Sequence, residues 1–382
     1  MNPIYLDHNA TTWLEQGAER ALLLPVFGNS SSIHSFGRDA KRLVDQARDQ
    51  LATALALDDP DAILFTGSAT ESINTALKGF FFQHHAEGRR VRLITSVAEH
   101  EATLETVAFL EKLGARVERV RVNNDGELDL AQLEEFLLAA SGGETIVSLL
   151  AANNETGVVY PWEEAQALAR KHGALFHLDG VQALGKLPGF SPAGADLASF
   201  SAHKIGGPKG VGALVVRRGI KLAALLHGGA QERKRRAGTV NVPGIAAFGA
   251  AAQALATRDL AAVDRRRAAL EARVRERIPG THVQGARAKR IVNTSNFLFD
   301  GVRGEGLVMG LDLEGFAVSS GSACNSGSIL PSHVLLAMGH DKTAAASAVR
   351  VSIAPGTTEG ELSLFVDALE KVVTRMRARQ KV

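Results

Sequence analysis

Short runs of apolar residues alternate with stretches of helical periodicity through the first two-thirds of the chain. Residues 62–66 (Ala-Ile-Leu-Phe-Thr) predict a buried strand, and 68–83 a helix behind it. The same alternation continues with strands at 91–95, 116–122, 145–150 and 174–178 and helices at 101–113, 130–140 and 161–172. Pro161 falls where the first turn of a helix tolerates proline. Apolar segments 197–200 and 213–216 predict two further strands. Strands separated by helices predict an α/β fold with a mostly parallel sheet. Beyond about residue 245 the pattern changes. A long Ala/Arg-rich helix over 244–278 precedes strands at 291–299 and 349–353 and helices at 304–311, 331–338 and 359–376, a smaller α+β unit.

Composition narrows the class. The chain has 382 residues, 45% of them hydrophobic and 22% charged, enough for two or three folding units with a real core. Lys+Arg number 43 against 41 Asp+Glu, so nothing argues for direct binding to nucleic acid. The Arg265-Arg266-Arg267 run lies on the long helix and reads as a solvated face. One cysteine excludes an internal disulfide framework, and we find no intrinsic metal site. No apolar run is long enough to span a membrane, and the first residues carry no secretory pattern, so a cytoplasmic protein is expected.

Four segments carry candidate chemistry. In open α/β sheets ligands sit beyond the carboxyl ends of the strands. There, Thr66-Gly67-Ser68-Ala69-Thr70 offers hydroxyls and free helix N-terminal amides suited to a phosphate, although such a turn alone is only a turn. Asp179 ends the strand at His177-Leu178 and could pair with a protonated heterocycle; on this segment alone, a helix-capping aspartate is the simpler reading. Lys204 stands between Ser201-Ala202-His203 and a glycine-rich stretch, as a Schiff-base lysine or as a basic loop residue. Cys324 lies in a loop of Ser, Gly and Asn, the wrong setting for a buried hydrophobe and the right one for a reactive thiol. A lysine, a carboxylate and phosphate donors at strand ends of one domain together suggest pyridoxal phosphate chemistry.

Motifs along nearly the whole chain resemble one family. They include Tyr5-Leu6-Asp7-His8-Asn9-Ala10-Thr11-Thr12, Glu99-His100, Asn153 to Gly157, His177 to Gln182, Ser201 to Lys204, Gly238-Thr239 and Ser319 to Cys324. The family is the cysteine desulfurases of class V in the aminotransferase superfamily, with the type I fold of pyridoxal phosphate enzymes. The resemblance implies a large domain at 12–249 around a seven-stranded-type sheet, and a small domain from 1–11 and 250–382 carrying the cysteine loop. It implies that Lys204 binds pyridoxal phosphate and moves protons, that Asp179 pairs with the ring nitrogen, and that His100 stacks on the ring. Asn154 and Gln182 would face the phenolic oxygen. Ala69, Thr70, Ser201 and His203 would hold the phosphate, with Thr239 reaching the neighbouring subunit's phosphate in a homodimer with shared active sites. Arg350 would clamp the substrate carboxylate, with a structural salt bridge as its alternative, and Asn9 and Asn154 would be second contacts. The activity implied is removal of sulfur from L-cysteine onto Cys324, for delivery to an acceptor such as an iron–sulfur scaffold. A selenocysteine lyase, an aminotransferase and a non-catalytic scaffold that binds the cofactor are the alternatives. The chain departs from the usual pattern at His8, where asparagine is common, in the order Gly67-Ser68, and in a short segment between Thr12 and Gly28; the first and last of these would touch the substrate entrance.

Overall fold

The structure is a computed structural model and describes residues 3–139, 143–320 and 331–379. After β1 (Ile4–Tyr5), α1 (Gln16–Leu22) and α2 (Ser35–Ala54), the predicted alternation begins. It runs β2 (Ile63–Thr66), α3 (Ala69–Ala86), β3 (Val91–Ser96), α4 (Glu101–Lys112), β4 (Arg116–Val120), α5 (Leu130–Leu138), β5 (Glu144–Leu150), α6 (Trp162–Lys171) and β6 (Leu175–Asp179). Then β7 (Leu197–Ser201) and β8 (Gly212–Val216) complete a seven-stranded sheet in the order β2-β8-β7-β6-β5-β3-β4. Only β8 runs against its neighbours; every other pairing is parallel. The central strands are buried on both faces, which is why they read as continuous apolar runs. Parallel order brings the carboxyl ends of β3, β5, β6 and β7 to one edge, where the crossover loops leave the sheet.

The Ala/Arg-rich helix predicted over 244–278 is two helices, α7 (Val242–Gln253) and α8 (Leu260–Arg277), separated by a 3-10 turn at Ala254–Thr257. The break is local chemistry: the carboxylate of Asp259 accepts from the Ala262 amide and starts a new helix. Two helices of the N-terminal segment fall outside the sequence expectations, as do the short elements at Ile4–Tyr5, Thr281–Val283, Phe316–Ala317 and Lys342–Ala345. The 20-residue α2 packs along α7, and α1 packs on α7 as well. The strand predicted at 116–122 ends at Val120.

The rest of the chain forms β9 (Thr281–Val283), β10 (Thr294–Phe299), α9 (Gly304–Leu313), β11 (Phe316–Ala317), α10 (His333–Ala337), α11 (Lys342–Ala345), β12 (Ala348–Ser352) and α12 (Glu359–Arg379). An antiparallel sheet β12-β10-β9 and the parallel pair β1-β11 share one apolar cluster with α8, α9 and α12, into which Leu6 inserts completely. The N-terminal strand thus pairs Ile4 with Phe316 and Tyr5 with Ala317, far along the chain, and Asp7 bridges to Ser352. This places the segment Asp7–Thr12 directly between the two sheets. Among the described residues, no helix is long and apolar enough to cross a membrane.

Candidate active site

Asp179 is the last residue of β6. Its Oδ1 accepts from the Val181 amide at 3.0 Å, and the residue is 6% exposed. Burial pushes its carboxyl up to about 6, against the Val181 amide and the Lys204 charge, which both favour the anion. Lys204 sits one turn past β7 in a 3-10 segment. Its Nζ donates to the carbonyls of Asn9 (2.6 Å) and Ala10 (2.9 Å), so the strip between the sheets forms its seat. Both residues line one cavity of about 300 Å3.

The same cavity gathers most of the other candidates. His100 caps α4: its Nδ1 accepts from the Ala102 amide, which puts the ring proton on Nε2. Burial first, then the Lys204 and His333 charges, hold it down to about 4, so it is a neutral ring at working pH. At the start of α3, Ser68 caps the helix by accepting from the Glu71 amide, leaving Ala69 and Thr70 on the cavity wall. Ser201, ending β7, and His203 line the same cavity. His203 is held down to about 4 by burial and by the charges of Lys204, Lys186 and Lys209. Arg350, on β12, enters from the small sheet with Asn154 and Gln182 beside it. Eleven of the thirteen residues singled out above therefore meet in one cavity, Asn9 being the eleventh. Thr239 is exposed and lies outside the wall, and Cys324 lies outside the described residues.

Two of these residues are more committed than the sequence suggests. Arg350 donates from Nη2 to Asp7 Oδ1 (2.6 Å) and from Nη1 to the Asn154 carbonyl (3.1 Å), while its buried Nε has no partner among the described residues. It is at once a buried ion-pair member and a cavity residue. The Asn9 side chain is fully occupied. Its Nδ2 donates to Thr294 Oγ1 and the Asn154 carbonyl, and its Oδ1 accepts from Asn293 and Lys186. It is placed to hold other residues rather than a ligand. His8 is buried, with Nδ1 2.7 Å from Thr12 Oγ1, and lines a neighbouring cavity of about 430 Å3 that shares only Lys204 with the first.

Sequence reasoning passed over several buried polar groups here. Glu99 precedes His100, is 1% exposed, accepts from Ser96 Oγ at 2.7 Å, and leaves Oε2 without a partner among the described residues. Burial, and then the nearby Asp179, push its carboxyl up to about 8. His177, two residues before Asp179, bridges Ser148 Oγ and Ser199 Oγ at 2.8 Å each across three adjacent strands. Lys186 is 6% exposed behind Gln182. The readable signal at His177 and Lys186 is one polar residue inside an otherwise apolar segment; Glu99, flanked by His100 and Glu101, carries none.

The donor set fits pyridoxal phosphate. The cavity holds a carboxylate for a ring nitrogen, an amine on a short tether, a neutral imidazole, and hydroxyls beside a helix N-terminus for a phosphate. That cradle is tight: a Cβ on Gly212 would lie 2.5 Å from the Ser68 carbonyl carbon.

Comparison with known proteins agrees. The aminotransferase class-V family profile matches residues 4–365. A cysteine desulfurase of Nostoc sp. (strain PCC 7120) is 40% identical over 99% of this chain and 94% of its own length. Cysteine desulfurase IscS of Dictyoglomus turgidum is 39% identical over 98% of this chain and 95% of its own. Among solved structures, a NifS-like protein superposes with a TM-score of 0.89 at 34% identity, covering 98% of this chain and all of that one. SspA in complex with cysteine superposes with a TM-score of 0.81 at 31% identity over 93% of this chain. The chain belongs to the class V aminotransferases, which are pyridoxal phosphate-dependent enzymes.

Proposed function

We propose that this protein is a cysteine desulfurase, taking sulfur from L-cysteine and leaving L-alanine, with Cys324 as the sulfur-accepting thiol. The observation that carries the reading is the convergence of Asp179, Lys204, His100 and Arg350 on one cavity at the carboxyl edge of the sheet.

Pyridoxal phosphate, when bound, supplies an electron sink for the pair left on Cα when its proton departs. Asp179 would hold the proton on the ring nitrogen; with its own carboxyl near 6, it is ionised at neutral pH. Ser201, His203, Thr70 and the α3 N-terminus would hold the phosphate. Arg350 would receive the substrate carboxylate through its paired N–H donors. Its existing bonds to Asp7 and Asn154 fix the position of the planar guanidinium. Lys204 would anchor the cofactor, then use the freed amine to remove the Cα proton and return it. Its seat on the Asn9 and Ala10 carbonyls keeps that amine in the cavity. His100, neutral with its proton on Nε2, can donate or hand on a proton. The Cys324 thiolate would attack the substrate sulfur. A sulfur–sulfur bond forms, the Cβ–S bond breaks, its electron pair stays on the carbon skeleton, and protonation gives alanine. The persulfide would then pass to an acceptor such as an iron–sulfur scaffold.

We further propose that the chain acts in the cytoplasm as a homodimer, its two units dividing near the α7–α8 break. Supporting a second copy, Trp13, Leu23, Phe27 and Ile33 are between 71% and 91% exposed along one N-terminal segment. Sedimentation at micromolar concentration tests the dimer.

The activity test is release of alanine and sulfide in equal amounts from L-cysteine with a reductant, and mass spectrometry of the protein after L-cysteine alone. A sulfur adduct on Cys324, absent from Cys324→Ala, is expected. A Cys324→Ala protein that releases both products at the parental rate removes Cys324 from the reaction.

A further inference from the structure

The buried ammonium of Lys186 has no role in the reaction just described. It lies in the turn after Asp179, between the catalytic cavity and its larger neighbour, and its Nζ donates to Gln182 Oε1 (2.5 Å) and Asn9 Oδ1 (3.2 Å). Neither partner is charged. Of the charged groups acting on it, Lys204, Arg350 and Arg258 repel it and only Asp7 attracts it. With burial, these push its ammonium well below the usual lysine range. Burying an amine, charged or neutral, against two uncharged amides costs desolvation that an apolar side chain of the same length would not. The position therefore calls for an explanation other than packing.

That explanation lies in the amides. The Lys186 amine spends an N–H on each of the two side-chain amides, so each amide turns its oxygen toward Lys186. For Gln182 this sends Nε2 the other way, where one N–H reaches the Asn9 carbonyl (3.1 Å). The second N–H has no partner among the described residues, and Gln182 lines the catalytic cavity. A flipped amide would set its NH2 against the N–H that Lys186 directs at it and its oxygen against the Asn9 carbonyl. For Asn9 the same constraint sends Nδ2 to Thr294 and Asn154, which fixes the strip whose carbonyls seat Lys204.

We propose that Lys186 is a positioning residue: by fixing the amide oxygens of Gln182 and Asn9, it keeps an N–H of Gln182 directed at the bound cofactor. This rests on the reading of the cavity as a pyridoxal phosphate site. It is tested on the holoenzyme with Lys186→Met, Gln182→Ala and the double variant, reading cofactor dissociation, the visible absorption band and the urea unfolding midpoint. Lys186→Met should unfold at or above the parental midpoint yet release pyridoxal phosphate roughly three- to tenfold faster, the worth of about one hydrogen bond. Its visible band should move with that of Gln182→Ala, and the double variant should release no faster than Gln182→Ala alone. Lys186→Gln, which still offers N–H donors, should restore release to within about twofold of the parent, and it can be read even if the methionine variant does not fold. Parental release and spectrum in Lys186→Met, additive effects in the double variant, or a loss in Lys186→Gln as large as that in Gln182→Ala would each overturn the proposal. A parent protein that shows no visible band with pyridoxal phosphate sinks the functional reading itself, whereas a parent that binds while the variants match it sinks only this inference.

Discussion

Asp179 is held where its charge is unfavourable to the fold. Burial raises its carboxyl from 3.8 to about 6, a change of roughly 3 kcal/mol between the two protonation states. The sign follows from which state holds the proton better. The folded chain does, so this contribution to stability is complete below the unfolded pKa and is lost as pH rises through the folded one. Asn copies the protonated acid in shape without the charge. Cofactor-free Asp179→Asn should therefore match the parent near about pH 4 and exceed it by up to about 3 kcal/mol above about pH 7, as measured by urea unfolding. The same change removes the anion opposite a ring nitrogen, and the rate of alanine formation should fall roughly a hundredfold or more. Glu99, pushed up to about 8, stays protonated beside Asp179 at neutral pH and so adds no second negative charge there.

At the scale of elements, the phosphate cradle depends on how closely β8 approaches the β2–α3 turn. Gly212 stands opposite Thr66 on one side and Ser201 on the other. A methyl there would meet the Ser68 carbonyl oxygen at 2.7 Å and Thr66 Oγ1 at 2.8 Å. The Thr66 hydroxyl donates to the Ser68 carbonyl (3.0 Å), and Ser68 starts α3, so the strain falls on the helix cap itself. Gly212→Ala should lower the unfolding free energy by about 1–3 kcal/mol and weaken binding of pyridoxal phosphate more than that of pyridoxal, which lacks the phosphate. Equal losses for both ligands would place the strain elsewhere.

Elements whose residues carry one dominant signal were legible in the sequence. The strands β2, β3 and β5 to β8 are dominated by apolar residues, and Ser68 and Pro161 mark helix starts. The helix α2 escaped although its inward stripe (Ala40, Val44, Ala47, Leu51) recurs at helical spacing, because that stripe is mostly small and lies in a segment otherwise rich in Arg, Asp and Lys. The break between α7 and α8 is masked because alanine favours helix on both sides, while Arg258 is drawn away to Glu15 and the Ile205 carbonyl. In the site, the residues found were those at strand ends within recognisable motifs. Asp7 and Lys186 were not found because their partners, Arg350 and Asn9, lie 343 and 177 residues away.

Across the whole molecule, the region around the two cavities and the strand ends collects ionisable groups that folding strips of water, and their titrations compete. His8, His100 and His203 are held down to about 4 and His177 to about 3, with burial the leading cause in each case. An imidazole with a depressed pKa gives stability that is present above about 6.5 and lost as pH falls toward the folded value, because the unfolded chain binds the proton first. The raised carboxyls of Asp179, Glu99 and Glu155 run the other way, gaining as pH falls. Four imidazoles against three carboxyls leave the acid limb with a net loss, tempered because His203 is the least buried of the four. The unfolding free energy of the cofactor-free protein should therefore fall between about pH 6.5 and 4. His177 isolates one contributor, since its ring does no more than bridge Ser148 and Ser199. In His177→Gln, whose amide can bond both hydroxyls, the limb should flatten by about 1.4 kcal/mol per pH unit, the weight of one proton. Urea unfolding of the parent and variant at several pH values in that window reads the difference directly. Parallel limbs would mean that the buried ring at position 177 is not set against protonation.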